Sequence, residues 1–149
     1  MAGQPKAVFF DIGDTLASPV LSPNRRSLAG LRVYPFVPEI LQALGHQTVP
    51  LGLISNTAPD DTMQTMQAIL KQVGLLRFFD VTLLLFSSVE GLDKTRGEFF
   101  QRAATRAGIP PQRCVFVGED AQERAVARTA FFQVSFHPLH VFHVLQEMV

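Results

Sequence analysis

Four short segments carry the residue types that phosphate chemistry needs. Asp11 ends an apolar run and opens Asp11-Ile-Gly-Asp-Thr15. Ser55-Asn56-Thr57 follows a second run, and Ser87, Ser88, Glu90 and then Lys94 follow a third. Gly118-Glu119-Asp120 follows a fourth. Clustered carboxylates favour a hard cation such as Mg2+, held by one or two protein carboxylates plus substrate oxygens. A hydroxyl and a lysine beside that ion can hold phosphate oxygens. An Asp at such an ion can act as a nucleophile and form an aspartyl-phosphate. Phosphoryl transfer asks mostly for positioning and charge neutralisation, which these parts supply.

These residues can meet only if the runs before them are strands of one sheet. Ala7–Phe10 leads into Asp11, residues 49–54 into Ser55, residues 81–86 into Ser87, and Cys114–Val117 into Gly118; residues 132–136 are a fifth run. Each run is apolar throughout, as strands covered on both faces should be. Helix-period stripes lie between them: Val37, Ile40, Leu41 and Leu44; Met63, Met66, Leu70 and Val73, with Gly74 as a stop; and Phe99, Phe100, Ala103, Ala104 and Ala107, closed by Gly108 and Pro110. Residues 121–130 and 139–148 read as two further helices. The alternation predicts a three-layer α/β sandwich with a mostly parallel, Rossmann-like sheet of about five strands and the Asp11 strand in the middle. In open sheets of this kind ligands sit beyond the carboxyl ends of the strands, where all four segments fall. Residues 17–33, with Pro19, Pro23, Asn24 and Gly30, carry little pattern and read as a surface loop or irregular excursion.

The chain has 149 residues, which suits a single domain over 1–149. Only 17% of residues are charged against 47% apolar, which argues against disorder. Thirteen Lys+Arg balance thirteen Asp+Glu. A protein that grips nucleic acid through phosphates normally shows a basic excess, so no nucleic-acid partner is expected. The near-neutral balance removes one brake on self-association, so a homo-oligomer is open. A lone cysteine, Cys114, forbids an intrachain disulfide and fits a reducing compartment. Residues 1–6 show no secretory leader pattern, and no apolar run approaches the roughly 18 residues of a membrane span. A cytoplasmic protein without a membrane partner is the expectation.

The whole set resembles the haloacid dehalogenase superfamily of hydrolases. Val8-Phe-Phe-Asp-Ile-Gly-Asp-Thr-Leu16 resembles its first motif, a strand ending in a nucleophilic Asp. Leu51-Gly-Leu-Ile-Ser-Asn-Thr57 resembles the second, and Glu90-Gly-Leu-Asp-Lys-Thr95, before a helix, the third. Val115-Phe-Val-Gly-Glu-Asp120 resembles the acidic fourth motif. The likeness runs from about Lys6 to His137. It implies Asp11 and Lys94 as catalytic residues, and Ser55, Asn56 and Lys94 as phosphate ligands. It implies Mg2+ held by Asp11, the Gly13 carbonyl, Glu119 and Asp120. The expected activity is phosphatase-type hydrolysis of a phosphorylated substrate through an aspartyl-phosphate on Asp11.

The departures from the family pattern bear on function. The family's phosphatases place a second Asp, a general acid and base, two residues after the nucleophile; here that position is Gly13. Asp14 stands where the family usually has Gly or Asn. Glu119 replaces the usual Asp of the fourth motif, and Glu123 and Arg124 stand where a further acidic residue often follows. Only residues 16–33 follow the first motif before the next helix, near Pro35, and residues 57–94 hold one helix and one strand. The chain therefore looks capless. An open site suits a macromolecular substrate, or a small one enclosed by an oligomer partner.

Each residue also has a plainer role. Asp11 could be a turn residue, Ser55 a helix cap, Lys94 a solvated lysine, and Glu119 and Asp120 acids favoured at a helix N-terminus. Asp14 is better explained by loop hydrogen bonding than as a substitute acid, and Arg25 and Arg26 by a solvated loop than by substrate contact. His137, His140 and His143 lack the cysteine or carboxylate that would complete a zinc site. The thirteen phenylalanines and Cys114 read as core. Three other functions compete. A binding or regulatory module that has lost turnover would explain Gly13. A response-regulator receiver domain would need its phosphorylated Asp on a later strand, and the later strands end in serines. A dehalogenase would rely on cap residues, for which a capless chain has no place.

Overall fold

The computed structural model describes residues 3–148 of the protein. Met1 and Ala2, which begin the stretch read for a leader, and Val149, the last residue of the single-domain range, lie outside the described residues. The strands are β1 (Ala7–Phe10), β2 (Ala17–Leu21), β3 (Leu28–Val33), β4 (Leu51–Ser55), β5 (Leu84–Phe86), β6 (Cys114–Val117) and β7 (Gln133–Ser135). Five of them form one sheet in the order β5-β4-β1-β6-β7, parallel at every pairing. The Asp11 strand is therefore central, as the sequence predicts.

The strands are apolar throughout because both faces are covered. Val8 and Phe10 point into a core shared with α1 (Val37–Gly45), α2 (Met63–Gln72) and α6 (Val141–Glu147). Ala7 and Phe9 point into a second core with α4 (Gly97–Ala107) and α5 (Ala121–Thr129). This is the three-layer sandwich. Gly52 of β4 shows how tightly the second face packs: a Cβ there would lie 2.5 Å from the Leu83 carbonyl oxygen and 2.8 Å from the Phe9 ring. Backbone cannot yield as a side-chain tip can. Gly52→Ala is expected to cost about 3 kcal/mol, the upper end for overpacking a core, read as a fall in the urea midpoint with unchanged slope.

Two segments differ from the sequence-based expectation. Residues 17–33 are not irregular. They form the antiparallel hairpin β2–β3, with a bulge where Val20 pairs Gly30 but Leu21 pairs Leu28. Its strands are half exposed and carry Pro19 and Gly30, so the apolar alternation of a strand is diluted. The Val81–Leu83 part of the third run is a 3-10 turn, because the Asp80 side chain accepts the Thr82 N–H and closes the chain there; only Leu84–Phe86 joins the sheet. Among the described residues, the hairpin alone separates β1 from α1. Only α2, β5, the short α3 (Ser87–Glu90) and turns separate β4 from Lys94.

Glu90 clamps α3 to α4. Its carboxylate lies 2.7 Å from Arg106 and 3.2 Å from Arg102. The Arg106 hydrogen bond, with help from Arg102, holds its carboxyl below the ordinary glutamate range against the opposing effect of burial. A lowered native pKa means that the pair stabilises above the unfolded value and stops doing so as pH falls through the native one. Glu90→Gln is expected to cost about 1 kcal/mol at pH 7, the worth of a mostly surface ion pair. Urea melts should show the gap between the two proteins closing in acid.

Candidate active site

The carboxyl ends of β1, β4 and β6 bring the candidate residues to one edge of the sheet. Asp11 is the first residue beyond β1. Its backbone N–H donates to the Val117 carbonyl at 2.9 Å, which carries the ladder one residue past the strand. The loop then turns sharply: Leu16 and Ala17 both donate to the Ile12 carbonyl. Asp14 takes the turn with φ 62°, a left-handed conformation that Asp and Asn tolerate better than most residues. That demand accounts for its residue type, and its side chain is exposed.

Lys94 is the centre of the charge arrangement. It is buried, and its Nζ lies 2.6 Å from Asp11 Oδ1 and 2.7 Å from Glu123 Oε1, above the Phe116 ring at 5.5 Å. The Glu123 contact is an ion pair without hydrogen-bond alignment, so that buried oxygen is left without a hydrogen-bond partner. The side chain of Asn56 fixes the lysine loop by accepting the Lys94 backbone N–H at 3.0 Å. Ser55, the last residue of β4, is buried, and its hydroxyl makes only a 3.3 Å contact with the Asn56 carbonyl.

One ammonium cannot neutralise the acids around it. Burial pushes the Asp11 carboxyl above its ordinary range; Lys94 and the Ile12 N–H offset this in part, and the Glu119 carboxylate adds to it. Burial likewise raises Glu123, with Lys94 opposing and Asp11 and Asp120 reinforcing. Lys94 is thus one cation facing two carboxyls, with Glu119 and Asp120 near enough to act on them. Asp11, Glu119 and the Gly13 carbonyl, to which no N–H donates among the described residues, offer hard oxygens of the kind Mg2+ takes.

Sequence reasoning placed Asp11, Lys94, Ser55 and Asn56 at one edge, and they meet there. Asp120 has another duty: its Oδ1 accepts the Gln122 and Glu123 N–H groups and caps α5. No group of three His, Cys, Asp or Glu side chains placed to share a metal occurs among the described residues. Glu119 is exposed, and its N–H donates to the Thr15 hydroxyl at 3.3 Å, tying the first loop to the fourth. Thr15 and the pairing of Glu123 with Lys94 were missed. For Glu123 the signal was its place in the first turn of α5, one turn beyond Asp120.

The other candidates lie elsewhere. Arg26 is held by Asp60 at 2.9 and 3.0 Å, and Arg25 sits in the hairpin turn with φ 61°. His140 Nδ1 contacts the Ser135 hydroxyl at 3.0 Å and its ring stacks on Phe136. Cys114 is buried, and burial pushes its thiol up to about 12. No helix among the described residues is long and apolar enough to cross a membrane.

Comparison with known proteins places the fold and the family. The chain is 25% identical over 134 residues to a phosphoglycolate phosphatase of Nitrosococcus oceani, an alignment covering 90% of this chain and 56% of that protein. It thus spans little more than half of that relative. A haloacid dehalogenase superfamily hydrolase of subfamily IA from Geobacter sulfurreducens superposes with a TM-score of 0.70 at 17% identity, covering 95% of this chain and 100% of that one. A structure from Haemophilus somnus, described as a predicted phosphoglycolate phosphatase, is 25% identical with a TM-score of 0.59, covering 70% of this chain and 44% of its own. The family model of the haloacid dehalogenase-like hydrolases matches residues 25–130, which takes in the second, third and fourth segments. With most of the chain inside that match, the protein belongs to the haloacid dehalogenase-like hydrolases.

Proposed function

We propose that the protein is a Mg2+-dependent phosphatase working through an aspartyl-phosphate on Asp11. The observation that carries this is the buried Lys94–Asp11 pair, 2.6 Å apart, at the end of the central strand. Lys94 holds Oδ1 and leaves the second carboxylate oxygen outside the ion pair. That oxygen attacks phosphorus, the new P–O bond replaces the ester P–O bond, and the electron pair departs on the leaving oxygen. The leaving oxygen takes a proton from solvent. Water then attacks the phosphorus, gives one proton back to solvent, breaks the bond to Asp11, and so releases phosphate and returns the carboxylate. The Ser55 hydroxyl, the Asn56 amide nitrogen and the Lys94 ammonium hold phosphate oxygens. Asp11, the Gly13 carbonyl and Glu119 would hold Mg2+, with Asp120 contributing the oxygen that does not cap α5; when bound, the ion neutralises charge on the transferring phosphoryl group.

Gly13 makes turnover slow, since no acid stands two residues after Asp11. A phosphate ester, whether on a macromolecule or enclosed by a second copy of the chain, is the substrate class, and the reduced Cys114 fits action in the cytoplasm. The same glycine favours a second reading, a module that binds phosphorylated ligands without useful turnover. Hydrolysis of p-nitrophenyl phosphate decides between them. Release of p-nitrophenolate with Mg2+, abolished by a chelator, is the expected result; no release with Mg2+ present leaves the module.

A further inference from the structure

A cavity of about 150 Å³ opens beside the candidate phosphate ligands, with Gly13, Ser55 and Asn56 on its wall. Its opposite wall is one face of the β2–β3 hairpin. Pro19 pairs with Leu31 and, beyond the bulge, Leu21 pairs with Leu28, so the register sets all four side chains on the cavity side. The bulge matters here, because an unbroken ladder would set Ala29 opposite Leu21. The hairpin cannot swing freely. Both oxygens of the buried Asp61 accept the Leu28 N–H, at 3.0 and 3.2 Å, and Arg26 grips Asp60. At the mouth Leu21 is 40% exposed, an apolar side chain with nothing over it.

The cavity's chemistry limits what it can take. No lysine, arginine or histidine lines it, and its one ionisable side chain is Asp61. That carboxylate is already committed to the N–H groups of Leu28 and Ala58. A second anionic group entering here would lose water and gain no partner. An apolar cavity of roughly 150 Å³ accommodates a molecule the size of benzene.

We propose that this cavity receives the leaving group of the phosphate ester, and that the group is neutral, apolar and about the size of one aromatic ring. This rests on Ser55, Asn56 and Asp11 handling the phosphate. It sets the chain apart from its phosphoglycolate-named relative, since a glycolate leaving group carries a carboxylate.

Phosphonates, which cannot be hydrolysed, probe the cavity without turnover. Titration calorimetry with Mg2+ present compares methylphosphonate, phosphonoacetate and benzylphosphonate. Benzylphosphonate is expected to bind at least about tenfold more tightly than the other two, as burial of a ring in an apolar site gives. Leu21→Arg, at a position 40% exposed, places a cation beside the cavity and should reverse the order of benzylphosphonate and phosphonoacetate, with an unchanged melting temperature as the check on the fold. Equal binding of benzyl and methyl phosphonates, tighter binding of phosphonoacetate to the unaltered protein, no binding of any of the three, or an unchanged order in the variant overturns the proposal. Turnover of acetyl phosphate, whose leaving group has no ring to fill the cavity, is scored apart. Benzyl preference without that turnover keeps the cavity and removes the phosphatase; turnover without the preference does the reverse.

Discussion

Asp11→Asn is expected to abolish Mg2+-dependent hydrolysis of p-nitrophenyl phosphate, by about 10⁴-fold or more, the scale on which loss of a nucleophile acts. An amide oxygen is a poor nucleophile, and the variant also removes one anionic ligand for the metal. The fold should not suffer. In the native protein burial raises the Asp11 carboxyl above its ordinary range, so the folded state disfavours its charge. A carboxyl raised in this way contributes stability below its unfolded pKa and loses it as pH rises through the native one. At neutral pH Asp11 is therefore a cost, and Asp11→Asn should melt at the same temperature as the parent or a higher one. Buried Lys94 keeps its partner Glu123, 2.7 Å away. Activity above a tenth of the parent's, in a variant that melts normally, would show that Asp11 is not the nucleophile.

The sheet was legible because its signal is local and redundant. Ala7–Phe10 and Cys114–Val117 are apolar at every position, and both turn out buried on both faces. The hairpin was not legible for a matching reason. Leu21 and Val20 are exposed, Pro19 donates no N–H, and a bulge shifts the register between Val20 and Leu21, so neither alternation nor a continuous apolar run survives. What holds the hairpin is tertiary: Asp61, thirty-three residues away, accepts the Leu28 N–H. Nothing within residues 17–33 announces that contact.

The candidate site divides along the same line. Asp11, Ser55 and Lys94 are set by strand ends and a nearby loop, and motif spacing placed them. The partner of Lys94 is another matter. Glu123 stands in the sequence only where the family often has a further acidic residue, and Asp120 reads as an ion ligand or a helix N-terminal acid. The structure gives Asp120 the helix cap and brings Glu123 to the ammonium, because α5 begins directly above the end of β6. The helix starts at Ala121, where the sequence predicts it; which acid of its first turn meets Lys94 is decided by where the lysine loop lies, a tertiary contact that no local pattern carries.

Gly13→Asp is expected to raise turnover of simple alkyl phosphates by about 10²-fold or more, within the range that general acid–base catalysis supplies. On the proposed mechanism, without an acid at this position the alkoxide must leave largely unprotonated, and the water attacking the aspartyl-phosphate lacks a base. p-Nitrophenyl phosphate, whose leaving group needs no proton, should gain less, so the ratio of the two substrates is the cleaner measure. The loop has room. A Cβ at Gly13 would meet only Pro19, at 3.7 and 3.9 Å, which is ordinary contact, and Gly13 is not among the residues with positive φ. The competing idea is that Asp14 already does the work. Asp14→Asn tests it without disturbing the turn, because Asn tolerates the left-handed conformation at φ 62° as well as Asp does. Little change in Asp14→Asn, together with a gain in Gly13→Asp, is the expected pair. If Asp14→Asn abolishes activity while melting temperature and Mg2+ affinity hold, the loss cannot be blamed on the backbone. Asp14 is then the acid, and Gly13 is no deficit.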